Sequence, residues 1–187
     1  MLLELLKDFE WYNEPMRITY RDDGMDICAE AQTDFWQNSH HQLRKDNGHF
    51  FFTRKDSNFI LNTHWKFEEY AGFRQCGVMV RIDERNWIKL GTMSAGSEVF
   101  QLGSVVTHRG NSDWAVHNIE NPQGQIWFRI KRLKGDYILL VSSNGVDFQQ
   151  LRMCSFHAES PEIKVGVYAC SPQNLPFVCT LSSLSLD

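Results

Sequence analysis

The chain has 187 residues, of which 42% are hydrophobic, 13% aromatic and 22% charged. This composition excludes a disordered chain because it supplies ample apolar material for a core, and the length predicts a single domain over residues 1–187. The formal net charge of -4 predicts no nucleic-acid partner, since such a partner usually requires a concentrated basic face.

The N-terminal segment predicts a cytoplasmic protein. Residues 1–10 are apolar only briefly, and they lack the basic start and small-residue cleavage site of a signal peptide. No run approaches the roughly 20 apolar residues that a membrane span requires, so we expect no membrane association. Residues 2–9 fit a short helix, an edge strand or a terminal turn.

Short runs of alternating apolar and polar residues dominate the remainder of the chain. They occupy residues 25–31, 78–82, 126–131 and 165–170. Such runs, separated by turn residues about every 8–12 positions, are typical of an all-β sandwich or barrel. Residues 33–42 fit a capped helix or a strand equally well.

Polar turns join several of these runs. Residues 83–86 form a polar loop, Gly135 can take the positive φ of a tight hairpin, and Asn144-Gly145 is a strong hairpin signal. The turns predict a meander of about five strands over residues 67–148.

Cysteine and histidine usage predicts neither a disulfide framework nor a metal site. The cysteines are odd in number and widely spaced, at Cys28, Cys76, Cys154, Cys170 and Cys179, which favours small buried side chains. The histidines His40, His41, His49 and His64 cluster in the first third of the chain. Neighbours such as His40 and His41 point to opposite faces of a strand, so we expect no metal and no cofactor.

Motifs of hydrolytic enzymes are absent from the sequence. No Glu-x-Asp-x-Glu strand occurs, and the adjacent pairs Glu68-Glu69 and Asp83-Glu84 would point to opposite faces of a strand. No Gly-x-Ser-x-Gly elbow occurs either. The sequence therefore favours a protein that is not an enzyme, while an uncharacterised activity stays open.

Aromatic and charged side chains share strand faces in a pattern that suits ligand binding. In one predicted strand, Arg129 alternates with apolar residues and so lies on the face opposite to the core. In another, Trp87 and Lys89 lie on the same face. Sugars stack on Trp rings while charged donors and acceptors fix their hydroxyl groups. Exposed strand faces also carry Arg and Lys for solubility, and Trp is often core, so a structural role is the alternative. The predicted ligand-binding set is Trp36, Arg81, Trp87, Lys89, Asp113, Trp114 and Arg129.

Eight short segments form one ordered pattern along the chain, at residues 11–15, 33–36, 75–81, 87–89, 104–107, 112–114, 142–145 and 166–172. In these segments the chain resembles the regulation-of-enolase family of unknown function. The resemblance implies an all-β concanavalin A-like jelly-roll sandwich of two antiparallel sheets, with a concave face on which lectins and glucanases of this fold bind sugars. The family often carries an Asp at the position of Arg74 and a Glu near residues 91–93, so an active site built on them would be missing here.

The predicted function is therefore binding of a carbohydrate or related polar ligand, such as a sugar phosphate, without hydrolysis. Trp rings would stack on it, Arg81, Arg129 and Lys89 would donate, and Asp113 would accept. The alternatives are a protein-interaction module that acts on a metabolic enzyme, in keeping with the name of the family, and an uncharacterised carbohydrate-active enzyme. The sequence is compatible with a monomer or a homodimer.

Overall fold

The structure is a computed structural model of the chain that describes residues 2–22, 24–39, 42–68, 72–95, 100–120, 123–156 and 162–187. Strands dominate it, with a single short helix among the described residues. In chain order the elements are α1 (Leu2–Leu6), β1 (Glu10–Tyr12), β2 (Arg17–Arg21), β3 (Gly24–Ala29), β4 (Phe35–Gln37), β5 (Arg44–Asp46), β6 (His49–Lys55), β7 (Phe59–Phe67), β8 (Gln75–Asp83), β9 (Asn86–Ala95), β10 (Phe100–His108), β11 (Asn111–Ile119), β12 (Gln125–Leu133), β13 (Asp136–Ser142), β14 (Gln149–Ser155), β15 (Ile163–Cys170) and β16 (Phe177–Leu186).

Two seven-stranded sheets form a sandwich. The front sheet has the order β1-β6-β15-β8-β9-β10-β11, and the back sheet has the order β14-β13-β12-β7-β16-β3-β2. The pairings between named strands are antiparallel. The predicted all-β jelly roll of two antiparallel sheets is thereby confirmed. No helix in the described ranges is long and apolar enough to cross a membrane.

The main core lies between the two sheets and follows from the alternation in the sequence. In β12, Ile126, Phe128 and Ile130 are fully buried while the residues between them are half-buried. Trp65 of β7 is also fully buried in this core. Burial of each such side chain contributes about 1.5–3 kcal/mol, so this layer is the main source of stability.

A second apolar cluster lies on the outer face of the front sheet, beneath the two-stranded β4–β5 hairpin. Its buried members are Phe35, Phe50, Phe52, Met79, Trp87, Met93, Val105, Tyr168 and Cys170. Phe35 comes from the hairpin, and its ring lies so close to Gly48 that a Cβ at residue 48 would be 2.4 Å from Cε2 of the ring. The front sheet is therefore covered on both faces in this region.

The structure resolves two alternatives and corrects one prediction. Residues 2–6 form a helix. Within residues 33–42, which fitted a helix or a strand, Phe35–Gln37 pairs as a strand with Arg44–Asp46. The meander predicted over residues 67–148 is interrupted, since β8 to β11 lie in the front sheet and β12 and β13 in the back sheet. The chain passes from the front sheet to the back sheet between Ile119 of β11 and Gln125 of β12, and Gln123 and Gly124 in this connection have φ of 54° and 77°.

Candidate functional site

A cavity of about 320 Å³ opens beside the β4–β5 hairpin on the outer face of the front sheet. We call it the Trp114 pocket. The hairpin supplies one wall, strands β8 to β11 supply the floor and the opposite wall, and two loop residues complete the rim. Its lining residues are Asp34, Trp36, Leu43, Phe73, Gln75, Lys89, Met93, Val105, Trp114 and Pro172.

Strand register explains why these side chains meet. Val105 pairs directly with Lys89 on one side and with Trp114 on the other. Directly paired residues of antiparallel strands project from the same face of a sheet. Lys89, Val105 and Trp114 therefore project from the outer face in one row across three strands.

Lys89 lies at the bottom of the pocket, where it is only 1% exposed. Its Nζ donates to Phe35 O at 2.8 Å, to Gln75 Oε1 at 3.0 Å and to Asp34 Oδ1 at 3.1 Å. An ammonium group has three N–H donors and no acceptor. The three acceptors therefore satisfy Lys89 completely, and the buried charge is compensated by the Asp34 carboxylate.

Two polar atoms at the floor keep unused hydrogen-bonding capacity. Asp34 Oδ1 accepts from Lys89, from the Phe35 amide and from the Cys170 thiol, but no described residue bonds to Oδ2. Gln75 is 5% exposed, and its Oε1 accepts from Lys89 and Cys170, while its Nε2 makes no hydrogen bond within the described ranges. Because Lys89 can only donate, the oxygen of the Gln75 amide must face it. The amide nitrogen is consequently a free donor at the floor of the pocket.

The rim of the pocket is aromatic and partly exposed. The rings of Trp36 and Trp114 meet edge to face, with centroids 6.1 Å apart and planes at 88°. Trp36 Nε1 donates to Ser39 O at 2.6 Å, which fixes its ring. Trp114 is 46% exposed, Leu43 46% and Phe73 42%. The pocket thus has an apolar entrance above a polar floor.

Arg81 and Trp87 project from the same face as Lys89 but do not line the pocket. Arg81 is paired with Trp87 in the register of β8 and β9, and both are buried under the hairpin, at 4% and 0% exposure. Arg81 makes a bidentate ion pair with Asp46 at 2.6 and 2.8 Å and lies 4.5 Å from the centroid of the Tyr12 ring. The roles predicted for them, donor and stacking surface for a ligand, are replaced by contacts within the fold.

The Tyr12 hydroxyl completes this buried ion pair. It donates to Asp46 Oδ2 at 2.7 Å. Burial and the hydrogen bond to the neighbouring carboxylate raise the pKa of Tyr12 above its ordinary value. Tyr12, Asp46 and Arg81 therefore act as one unit that holds the end of β5 on the front sheet.

Asp113 and Arg129 lie away from the pocket. Asp113 alternates with Trp114 along β11, and its exposed carboxylate pairs with Arg152 at 2.8 Å. Arg129 belongs to β12 of the back sheet, where it bonds to Asn62 and lies 3.7 Å from the centroid of the Phe148 ring. The prediction that these two residues share a groove with the others is wrong, because strand parity does not reveal which sheet or which face a residue occupies.

The histidines considered as metal ligands have other contacts. His49 Nδ1 lies 2.6 Å from Asn13 O, and its Nε2 lies 3.3 Å from Glu30 Oε2. His64 stacks on Trp127 at 3.9 Å, and burial lowers its pKa. Residues 40 and 41 lie outside the described ranges. Within those ranges no group of three potential ligand side chains could hold a metal ion.

Sequence reasoning missed the polar residues of the pocket floor, Asp34 and Gln75, and the rim residues Leu43 and Phe73. Asp34 and Gln75 lie in the segments 33–36 and 75–81 that carry the family resemblance, and that was the available signal. The Cys170 thiol near them is fully buried, and burial raises its pKa well above the ordinary value. Cys170 therefore donates to Asp34 and Gln75 beneath the floor, and burial disfavours its reactive thiolate form.

Comparisons with known proteins identify relatives of the same fold. In sequence, the chain is 28% identical over 176 residues to Regulation of enolase protein 1 of Saccharomyces cerevisiae, covering 94% of this chain and 87% of that protein. A crystal structure of a functionally unknown protein from Saccharomyces cerevisiae superimposes with a TM-score of 0.89, at 28% identity and 97% coverage of both chains.

A more distant structure shares the fold alone. The GH43 protein BlXynB of Bacillus licheniformis superimposes with a TM-score of 0.75 at 11% identity, over 96% of this chain and 36% of that one. A family profile described as "Protein of unknown function (DUF1349)" matches residues 11–187. The chain therefore belongs to the DUF1349 family of proteins of unknown function, and its resemblance to the regulation-of-enolase proteins is confirmed.

Proposed function

We propose that the protein is a non-catalytic binding module that holds a carbohydrate or similar polar ligand in the Trp114 pocket. The observation that carries the proposal is the juxtaposition of the exposed Trp114 ring with the free polar atoms of Asp34 and Gln75 in one cavity. Sugars present C–H faces that stack on Trp and hydroxyl groups that need donors and acceptors. Both kinds of contact are available here within a single site.

The number of carboxyl groups in the pocket argues against hydrolysis at this site. Glycoside hydrolases usually place two carboxyl groups about 5–9 Å apart across the scissile bond. Asp34 is the one carboxylate among the described residues that line the pocket, and Lys89 holds it in an ion pair at 3.1 Å. A second carboxyl group that could serve as general acid is absent from these described lining residues, so we infer binding without turnover.

A titration against soluble sugars tests the proposal. Ligand-observed NMR with methyl glycosides of glucose, galactose and mannose should detect binding to the native protein, and Trp114→Ala should abolish it. Trp127→Ala is the matched control, because Trp127 lies on the back sheet, with His64 stacked on it and Gly145 against it. Absence of binding by all three sugars, or equal binding by the Trp114 variant, would contradict the proposal.

A second candidate function is binding of a protein partner through the same entrance. The exposed rings and side chains of Leu43, Phe73 and Trp114 would suit an apolar anchor residue, and the yeast relative carries the name of a regulator of enolase. The two functions separate by direct measurement with purified enolase. Micromolar binding that is lost in Trp114→Ala, together with no response to sugars, would favour the partner function.

A further inference from the structure

The charge of the pocket floor determines which ligands it can accept. Lys89 and Asp34 are the charged residues among the described lining residues, and they neutralise each other at 3.1 Å. The three donors of Lys89 are used by Asp34, Phe35 and Gln75. Neither the charge nor the N–H groups of this lysine are therefore available to an anion.

Arg81, the other buried arginine or lysine among the described residues, is also unavailable. Arg81 gives two nitrogens to the Asp46 carboxylate, and its guanidinium lies against the Tyr12 ring. A phosphate or carboxylate group in the pocket would lose its hydration without gaining a cationic partner, and it would share the pocket with the Asp34 carboxylate. Burial of an unpaired charge is strongly unfavourable, so the pocket discriminates against anionic ligands.

The free atoms instead match a neutral hydroxyl group. Gln75 Nε2 can donate, and Asp34 Oδ2 can accept. A hydroxyl accepts through its oxygen and donates through its hydrogen, so the hydroxyl groups of a ligand can serve either atom. The buried Gln75 amide, at 5% exposure, is left with an unsatisfied donor unless a ligand or water bonds to it, which makes it the more selective of the two contacts.

We infer that the ligand of the Trp114 pocket is a neutral hydroxylated ring, that the Gln75 amide is its hydrogen-bond donor, and that sugar phosphates and acidic sugars are excluded. This inference rests on the proposed function and narrows its ligand class. It excludes the sugar phosphate, which was one of the ligands considered from the sequence.

The first experiment compares the binding of neutral and charged sugars to the native protein. The native protein is titrated with methyl glycosides of glucose, galactose and mannose and with the corresponding 6-phosphates and uronic acids. We expect at least one neutral sugar to bind at least about tenfold more tightly than its charged counterparts, since a buried group left without its partner costs about that factor in affinity.

Gln75→Glu tests the donor itself. The substitution preserves size and an oxygen acceptor for Lys89 but replaces the N–H donor by an acceptor, so binding of the neutral sugar should weaken by about tenfold or more. Gln101→Glu is the matched control, because Gln101 of β10 bonds to Asn118 and does not line the pocket. Circular dichroism and thermal melting show whether each variant folds.

The outcomes separate this inference from the proposed function. If a 6-phosphate or a uronic acid binds as tightly as the neutral sugar, or if a folded Gln75→Glu protein keeps native affinity, the inference is overturned while sugar binding survives. If no sugar of either class binds, the proposed function fails and the inference fails with it.

Discussion

Lys89 and Asp34 form a buried ion pair that joins the front sheet to the start of the β4–β5 hairpin, with Nζ 3.1 Å from Oδ1. A second pair, Arg81 with Asp46 at 2.6 Å, joins the same sheet to the end of the hairpin. Asp34 directly precedes the β4–β5 hairpin and Asp46 is its last residue. The two cations lie on neighbouring strands beneath the hairpin. The hairpin, and with it one wall of the Trp114 pocket, is held by electrostatic contacts at both ends.

Lys89→Met should destabilise the protein strongly. The substitution keeps the apolar length of the side chain but leaves the Asp34 carboxylate without its cationic partner and removes the hydrogen bonds from Lys89 to Phe35 O and Gln75 Oε1. Removing one partner of a buried ion pair typically costs about 3–5 kcal/mol. Urea denaturation should show a loss of about 3 kcal/mol in the free energy of unfolding.

Lys131→Met is the control for that measurement. Lys131 is half-buried and has the parity of Arg129, so it projects from the outer face of the back sheet. Its substitution should change the free energy of unfolding by no more than about 0.5 kcal/mol. A similar small change for Lys89→Met would show that the buried ion pair does not hold the hairpin.

Arg81→Lys tests the geometry of the second ion pair. A lysine keeps the positive charge but cannot make the two parallel bonds to Asp46 or lie flat against the Tyr12 ring. We expect a loss of about 2 kcal/mol in the free energy of unfolding, because a charge-assisted bond between largely buried groups is removed. Arg54→Lys should cost less than about 0.5 kcal/mol, since Arg54 and its acidic partners are about half exposed. Equal losses for the two variants would contradict this account.

Stability should fall in mildly alkaline solution because of buried thiols. Burial raises the pKa of Cys170 and of Cys179 well above the ordinary value, whereas an unfolded chain releases thiol protons near pH 8.5. Above that pH the folded state binds more protons than the unfolded state, so the free energy of unfolding decreases as the pH rises. Below it, these groups contribute no pH dependence.

The slope of that dependence identifies the groups. Each buried thiol can contribute up to about 1.4 kcal/mol per pH unit, and urea denaturation between about pH 7.5 and 9.5 measures the sum. Cys170→Ala should reduce the slope by up to one thiol's contribution. An unchanged slope in that variant would assign the alkaline loss to other groups.

The sequence pattern correctly predicted which residues share one face of a strand, but it did not predict what covers that face. The alternation in β12 placed Ile126, Phe128 and Ile130 in the core, as the structure shows. The same rule set Trp87 and Lys89 on one face of their strand. The structure shows this arrangement, with Ile88 and Leu90 of the other face in the main core. Alternation cannot distinguish a face in water from a face covered by a distant segment.

Contacts with the β4–β5 hairpin and the residues before it explain why only part of the predicted binding set lines the pocket. Lys89 is buried by contacts with Asp34 and Phe35, which lie 55 and 54 residues away in sequence, and no local pattern encodes such a contact. Arg129 has the same local appearance as Lys89 but belongs to the other sheet. Only Trp36, Lys89 and Trp114 of the predicted set line the pocket.

Gly48→Ala should disturb the hairpin through a single steric contact. A Cβ at residue 48 would lie 2.4 Å from Cε2 of the Phe35 ring, and Phe35 is fully buried, so the ring has no free space into which it can move. Overpacking of this kind typically costs about 1–3 kcal/mol. The double variant Gly48→Ala/Phe35→Leu should be more stable than the sum of the two single effects predicts, because the smaller side chain relieves the clash. Additive losses, measured by urea denaturation of all four proteins, would show that the cost at residue 48 arises from the backbone and not from the contact with Phe35.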